Sequence, residues 1–222
     1  MEQKYNVSSN PHVRDGMTTS RIMQLVVIAL LPATLFGIWN FGFRAFLVVA
    51  VTVASSVIFE WLYDHFMHKP NTVKDFSAVV TGLLLALNMP AQIPLWMPVL
   101  GSAFSIIVVK QLFGGLGQNF MNPALAARCF LLISFAGMMN NFSSARLGFD
   151  SVSGATPLAA MRAGQSVDLG ASCIGRNQGT IGEDSNTALL VGGIYLLVSK
   201  VISWRITVIY NGTVDVFVFI FG

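Results

Sequence analysis

The stretch that decides the fold class of this chain covers residues 45 to 62 and reads Ala45-Phe-Leu-Val-Val-Ala-Val-Thr-Val-Ala-Ser-Ser-Val-Ile-Phe-Glu-Trp-Leu62. Only one of these side chains, that of Glu60, carries a charge. The hydrocarbon core of a bilayer is about 30 Å thick, and a helix needs about 20 residues to cross it, within a range of roughly 17–25. The stretch therefore predicts a helix that spans a membrane.

The rest of the chain has the same character. Of its 222 residues, 54% are hydrophobic and 10% are charged, whereas soluble domains carry about 25% charged residues. The fold class predicted is an all-α integral membrane protein, a multi-span helical bundle in a lipid bilayer. Apolar blocks separated by Gly, Pro, Asn and charged residues predict seven helices, at residues 20–39, 44–63, 76–89, 95–113, 122–139, 187–203 and 206–222.

The third predicted helix is short for a span, and Asn88-Met-Pro90 follows it directly. Such a helix is tilted, broken or re-entrant, which is tolerated only where protein or a cavity surrounds the backbone.

Basic residues predict the orientation of the helices. Cytoplasmic loops are enriched in lysine and arginine, and an inside N-terminus places eight such residues inside and four outside. This bias predicts a cytoplasmic N-terminus and accounts for the net charge of +3, so no nucleic-acid partner is expected. The inside residues are Lys4, Arg14, Arg21, Lys69, Lys74, Lys110, Lys200 and Arg205; the outside ones are Arg44, Arg146, Arg162 and Arg176.

Four regions follow from this topology. Arg44 and Arg205 each stand at a junction between two helices, a weak sign of the internal repeats on which many transport folds are built. The regions are a cytoplasmic segment at 1–19, a first membrane repeat of about five helices at 20–139, an extracytoplasmic loop at 140–186, and the start of a second repeat at 187–222.

The extracytoplasmic loop contains the motif Asp150-Ser-Val-Ser-Gly-Ala-Thr-Pro-Leu158. It matches the pattern in which flavin transferases esterify the phosphate of FMN onto a hydroxyl side chain, with Thr156 as the acceptor. Gly154 and Ala155 leave room for a phosphate, Asp150 is suited to position a metal during the transfer, and Ser153 is a second hydroxyl. The alternative interpretation is an ordinary Ser/Gly turn.

A second motif reads Phe113-Gly-Gly-Leu-Gly-Gln-Asn119-Phe-Met-Asn122-Pro-Ala124. Its glycines permit close backbone approach, and Asn122 before Pro123 is typical of a helix N-cap. The amides of Asn119 and Asn122 also offer donors and acceptors to the polar edge of a flavin. Capping and turn chemistry explain Asn122 fully and Asn119 partly.

Ionisable groups at membrane depth are functional candidates. Arg128 is predicted to extend to the cytoplasmic surface, and Asp75 to be a charge at a helix N-terminus. Glu60 and Asp64, one turn apart, are predicted to form a polar face at the membrane interface. Neither a metal site nor a catalytic residue is predicted, and Cys129 and Cys173 are expected to be unpaired.

Together these features resemble the RnfD and NqrB family, membrane subunits of the ion-pumping ferredoxin:NAD and NADH:quinone oxidoreductases. The short N-terminal segment resembles RnfD more than NqrB. The likeness covers nearly the whole chain, through Ser8-Ser-Asn-Pro-His12, Asp75 to Pro90, Gly114 to Ala124 and Ser153 to Leu158, and past Asn186.

The resemblance implies a covalent FMN on Thr156, on the outer side of a bacterial inner membrane, and a riboflavin near Asn119 and Asn122. It implies RnfA, RnfB, RnfC, RnfE and RnfG as partners, and a flavin transferase during maturation. It also implies a fold of the urea-transporter type, with two inverted repeats of five helices. Because only seven helices are predicted, the second repeat is expected to be incomplete in this chain.

The function predicted is that of an electron-transfer subunit of an Rnf-type translocase, which couples ferredoxin:NAD oxidoreduction to Na⁺ or H⁺ translocation. No complete active site is expected in this chain alone. Three other functions stay open: an NqrB-like subunit of Na⁺-translocating NADH:quinone reductase, a urea-transporter-type solute channel, and a structural membrane anchor. The channel would assign no role to the motif around Thr156.

Overall fold

The computed structural model describes residues 17–69, 72–141, 179–182 and 186–221. These residues form α-helices, one π-helical segment and one 3-10 turn, and none of them forms a β-strand. In chain order the elements are α1 (Thr19–Phe41), α2 (Phe43–Phe66), the 3-10 turn (Val73–Asp75), α3 (Ser77–Leu87), α4 (Trp96–Ala103), the π-helix (Phe104–Gln111), α5 (Pro123–Ser134), α6 (Ala136–Met139), α7 (Asn186–Val198) and α8 (Trp204–Phe221).

The first two helices are long and apolar enough to cross a membrane. They contain 23 and 24 residues, or about 35 Å each at about 1.5 Å per residue. Thr18 caps α1 by accepting a hydrogen bond from the backbone of Arg21. Gly42 joins the two helices with a φ of 74°, in the region that glycine adopts without strain.

The short helix α3 lies inside the bundle. Its 11 residues measure about 16 Å, too little to span a membrane. It packs against α1, α2, α4 and α5, so protein surrounds its backbone as the sequence predicts. Nine of its residues are buried: Ser77, Ala78, Val80, Thr81, Gly82, Leu83, Leu85, Ala86 and Leu87.

Glycines let the helices approach closely, as is common in membrane bundles. A Cβ atom on Gly82 would lie 2.9 Å from the Cα of Val53 on α2. A Cβ atom on Gly192 of α7 would lie 2.2 Å from the carbonyl oxygen of Ala29 on α1. The contacts of α2 with α3 and of α1 with α7 therefore depend on the absence of a side chain.

The predicted fifth helix, residues 122–139, is wrong as a single element. It breaks at Phe135, whose φ of −135° and ψ of 46° lie outside the helical region. The ring of Phe135 packs edge-on against Trp96, with 5.2 Å between centroids. The next helix among the described residues, α7, ends at Val198, earlier than predicted, and Lys200 has a φ of 55°.

The last helix, α8, is almost entirely exposed. Its apolar side chains include Phe219, which is 91% exposed. A contiguous apolar surface of this size is typical of a membrane or protein contact.

The bundle has two chemically different ends. At one, called the polar end, the last turns of α2 and the π-helix meet the start of α3 around Glu60, Lys110 and Ser77. At the other, called the loop end, Ile181 donates a backbone hydrogen bond to Met89 at 3.0 Å, and Gly182 donates one to Leu87 at 2.9 Å. The length of α3 separates these ends.

Candidate functional site

A buried ion pair joins α2 to the π-helix at the polar end. The Nζ of Lys110 donates to the Oε1 of Glu60 at 2.7 Å, and the side chains are 2% and 0% exposed. The Nε2 of Gln111 lies 3.3 Å from the same oxygen. Because burying charges is costly, such a pair is stable only when hydrogen bonds satisfy both partners.

The lysine also contacts the start of α3. Its Nζ donates to the Oγ of Ser77, and the Ser77 hydroxyl donates to the Oδ1 of Asp75. The backbone N–H of Ser77 donates to that carboxylate oxygen at 2.8 Å. The prediction that Asp75 stands at a helix N-terminus is therefore confirmed.

Thr72 connects two acidic side chains of α2. Its hydroxyl oxygen lies 2.7 Å from the Oε1 of Glu60 and 2.9 Å from the Oδ2 of Asp64. The backbone N–H of Thr72 also donates to the Oδ2 of Asp64 at 2.9 Å. The buried polar cluster, as we call it, consists of Glu60, Asp64, Thr72, Ser77, Lys110 and Gln111.

Two carboxylate oxygens of this cluster have no partner among the described residues. They are the Oε2 of Glu60 and the Oδ1 of Asp64, both buried, and the hydroxyl of Ser56 one turn earlier on α2 is likewise unpartnered there. Unsatisfied buried polar atoms are rare in native proteins, and each calls for an explanation such as an unseen water, ion or proton.

The prediction of an interfacial polar face at Glu60 and Asp64 is wrong. The two side chains are 0% and 3% exposed and point into the bundle. They are tolerated there because Thr72 and the π-helical residues Lys110 and Gln111 supply donors from two other parts of the chain.

Lys110, predicted from the sequence only to lie on the cytoplasmic side, is 2% exposed. A signal was present in the sequence, because Lys110 follows a mostly apolar run just as Glu60 does. Two opposite charges placed in apolar runs near the same membrane surface favour a pair.

The π-helix positions Lys110, the basic member of the ion pair with Glu60. Leu112 donates its backbone N–H to Ile107, and Gly115 donates to Lys110, each five residues back and each at 3.0 Å. This wider turn adds a residue relative to an α-helix, and π-helical segments are frequent at functional sites.

The second motif begins at the polar end, two residues after Gln111. Asn122 caps α5, as predicted, since its Oδ1 accepts hydrogen bonds from Ala124 and Leu125 at 3.0 and 3.4 Å. Asn119 donates from its Nδ2 to the carbonyl of Met121 at 2.9 Å. Local hydrogen bonds therefore engage the NH₂ group of Asn119 and the carbonyl oxygen of Asn122.

This loop presents apolar side chains at the surface. Phe113 and Phe120 are 50% and 65% exposed, and their rings pack edge-to-face with 4.7 Å between centroids. Gly114, Gly115 and Gly117 have φ values of 115°, 97° and 85°, which only glycine adopts readily. The loop thus combines two exposed aromatic rings, two side-chain amides and a backbone that glycines leave free of side chains.

The motif that predicts flavin attachment lies outside the described residues, and with it Asp150, Ser153, Gly154, Ala155 and Thr156. The described residues nearest to the motif on either side belong to the loop end. Met139, 11 residues before Asp150, and Ile181, 23 residues after Leu158, are 3% and 1% exposed and share one hydrophobic cluster.

The side chain of Arg128 does not extend toward the polar end of the bundle, as the predicted position at the cytoplasmic surface would require. Its guanidinium donates to the Oδ1 of Asn88 at 2.7 Å, so it extends toward the end of α3 at the loop end. Asn88 in turn donates to the carbonyl of Leu84 at 2.7 Å. The contact ties α5 to the point where α3 stops.

Comparison with known proteins identifies the family of this chain. The model of the NQR2, RnfD, RnfE family matches residues 6–222. The chain belongs to this family. It is 48% identical over 226 residues to the D subunit of the Na(+)-translocating ferredoxin:NAD(+) oxidoreductase complex of Acetobacterium woodii, covering 100% of this chain and 71% of the relative.

Two further members of the NQR2, RnfD, RnfE family are similar over most of the chain. The D subunit of the proton-translocating ferredoxin:NAD(+) oxidoreductase complex of Clostridium ljungdahlii is 38% identical, covering 98% of this chain and 70% of the relative. The D subunit of the ion-translocating oxidoreductase complex of Shewanella amazonensis is 34% identical, covering 91% of this chain and 68% of the relative.

Proposed function

We propose that this member of the NQR2, RnfD, RnfE family is RnfD, an electron-transfer subunit of an Rnf-type complex. The complex couples ferredoxin:NAD oxidoreduction to translocation of Na⁺ or H⁺, and the chain is one subunit of this translocase. The observation that carries the proposal is the similarity, over the full length of the chain, to the corresponding membrane subunit of such a complex. Its partners are then the other Rnf subunits, RnfA, RnfB, RnfC, RnfE and RnfG.

The chain lies in the bacterial inner membrane with a cytoplasmic N-terminus, and its first repeat is of the urea-transporter type. In this placement the polar end faces the cytoplasm and the loop end faces outward. The burial of Met139 and Ile181 in one cluster supports a loop that begins and ends on the same side of the membrane, because both residues then lie at the loop end of the bundle.

FMN is attached through its phosphate to the hydroxyl of Thr156. The support is the sequence motif, in which Asp150, Ser153, Gly154 and Ala155 surround or precede the acceptor. When bound, the flavin supplies one- and two-electron redox chemistry that no side chain provides. The protein positions the flavin, because the residues before and after the loop, Met139 and Ile181, are packed into the bundle.

A riboflavin binds at the polar end, beside Asn119 and Asn122. The residues fit this group because exposed Phe113 and Phe120 offer an aromatic surface for the ring system. Capping uses the carbonyl oxygen of Asn122, so its NH₂ group is the part of the amide offered to the flavin.

In-gel fluorescence of the denatured protein tests the covalent flavin. The complex is expressed with its flavin transferase, and the wild-type band is expected to fluoresce. Thr156→Val removes the acceptor hydroxyl and abolishes fluorescence, whereas the matched variant Ser153→Ala retains it. A dark wild-type band contradicts the proposal, and so does loss of the signal in Ser153→Ala with retention in Thr156→Val.

The electron donor separates RnfD from an NqrB-like subunit. The assembled complex is expected to reduce NAD with electrons from reduced ferredoxin. A complex that oxidises NADH with a quinone, and does not react with ferredoxin, contradicts the Rnf assignment.

A further inference from the structure

We propose that Asp64 and Glu60 form a proton-binding site, in which the Thr72 hydroxyl links a protonated Asp64 to an ionised Glu60. The ligand is a proton, taken up by Asp64 from water. The site does not depend on flavin attachment at Thr156.

The first observation is the number of hydrogens available to Thr72. A threonine hydroxyl has one hydrogen to donate, but its oxygen lies within hydrogen-bond distance of two carboxylate oxygens, at 2.7 Å from Glu60 and 2.9 Å from Asp64. If both acids were ionised, one of these contacts would set lone pairs against each other. One further proton turns both contacts into hydrogen bonds.

The surroundings place that proton on Asp64. The Oε1 of Glu60 receives hydrogen bonds from the ammonium of Lys110 and the amide of Gln111, which favour a negative charge. Asp64 has no salt bridge among the described residues. Its protonated Oδ2 donates to the oxygen of Thr72, and the Thr72 hydroxyl donates to Glu60.

The second, independent observation is the burial of acidic oxygens that lack a protein partner. Asp64 is 3% exposed, and its Oδ1 has no partner among the described residues. A buried ionised carboxylate of this kind carries a large desolvation penalty, which a proton removes.

An open cavity borders Asp64. It measures about 400 Å³, and Asp64 forms part of its wall. Water in this space is the proposed source of the proton and its acceptor on release. The other residues that line it are His65, Phe66, His68 and Lys69.

Charged groups face the two acids from several elements. Lys110 of the π-helix pairs with Glu60, and Asp75 of the 3-10 turn binds Ser77. Lys69 also lines the cavity but forms no ion pair with either acid. Its Nζ lies 3.5 Å from the carbonyl oxygen of Gln111 and 5.0 Å from the ring centroid of Tyr63. The remaining titratable groups at the cavity are His65 and His68.

Infrared difference spectroscopy of the assembled complex in lipid tests the proposal. The wild type minus Asp64→Asn spectrum is expected to contain the C=O band of a protonated carboxyl group, shifted in D₂O. Absence of that band overturns the proposal. Glu60→Gln removes an ionised group, so the corresponding spectrum is expected to show the loss of carboxylate bands, with the C=O band of Asp64 at most shifted through Thr72. Loss of a whole protonated-carboxyl band in that spectrum also overturns the proposal.

Stability gives a second readout. The NH₂ group of asparagine can donate to the Thr72 hydroxyl as a protonated acid does, but it cannot accept the backbone N–H of Thr72 that the Oδ2 of Asp64 accepts. Asp64→Asn is therefore expected to lower the folded-to-unfolded ratio by about tenfold or less. Glu60→Gln leaves Lys110 unpaired and lowers that ratio about a hundredfold or more. An equal loss in the two variants overturns the proposal.

The threonine supplies a matched pair of variants if Asp64→Asn fails to assemble. Thr72→Ser keeps the hydroxyl and is expected to leave the protonated-carboxyl band in place. Thr72→Val removes the hydroxyl and is expected to shift or abolish the band. An identical spectrum in both variants overturns the link through Thr72.

Discussion

Glu60 and Lys110 are 50 positions apart in the chain, and their side chains meet at 2.7 Å in the interior of the bundle. This contact fixes the last turns of α2 against the π-helix, beside the start of α3. The end of the bundle that we place on the cytoplasmic side is thus held together by charge rather than by apolar packing alone.

Replacing one member of this pair is expected to destabilise the protein strongly. Lys110→Met leaves the carboxylate of Glu60 buried without a cation, at a cost of about 3–5 kcal/mol. The double variant Glu60→Gln/Lys110→Met removes both charges and is expected to recover much of the loss. Thermal unfolding followed by size-exclusion chromatography in detergent measures this, and a double variant less stable than Lys110→Met contradicts the pairing.

The helix contacts can be tested with two neighbouring glycines. A Cβ atom on Gly192 would meet the carbonyl oxygen of Ala29 at 2.2 Å, whereas one on Gly193 would meet nothing within 4 Å. Gly192→Ala is expected to cost about 1–3 kcal/mol through overpacking. Gly193→Ala is expected to be near neutral, and equal effects on the yield of folded protein would refute the contact between α1 and α7.

Asn122 has two expected roles, and two substitutions separate them. Asn122→Ala loses the helix cap and is expected to cost about 1 kcal/mol. Asn122→Asp keeps a capping oxygen but loses the NH₂ group, so stability is retained while riboflavin content falls. Flavin extracted from the purified complex and unfolding midpoints report the two effects. Full riboflavin in Asn122→Asp would exclude the amide as a ligand.

Much of the fold was predictable because helices depend on local patterns. Apolar blocks between breakers located the helical segments, and Asn122 before a proline indicated a cap that the structure confirms. The break at Phe135 had only a weak local signal, because Ser134 and Phe135 are moderate helix formers and Gly137 is a poor one. The contact that accompanies the break, with a tryptophan 39 positions earlier, is not visible in a local pattern.

The buried polar cluster was missed for a similar reason. The spacing of Glu60 and Asp64 shows that they share a helix face, but it does not show what that face meets. Their partners come from residues 72, 110 and 111, and sequence periodicity carries no information about such pairing. For the motif around Thr156 a short local pattern is enough to predict the chemistry. The motif itself lies outside the described residues.

The mass of the peptide that contains Thr156 tests the central claim most directly. The complex is purified from cells that contain its flavin transferase, and this chain is separated from its partners, digested and measured by mass spectrometry. The account predicts a peptide heavier than its amino acids by one FMN less one water, with fragments that locate the addition at Thr156. A peptide of unmodified mass would contradict it.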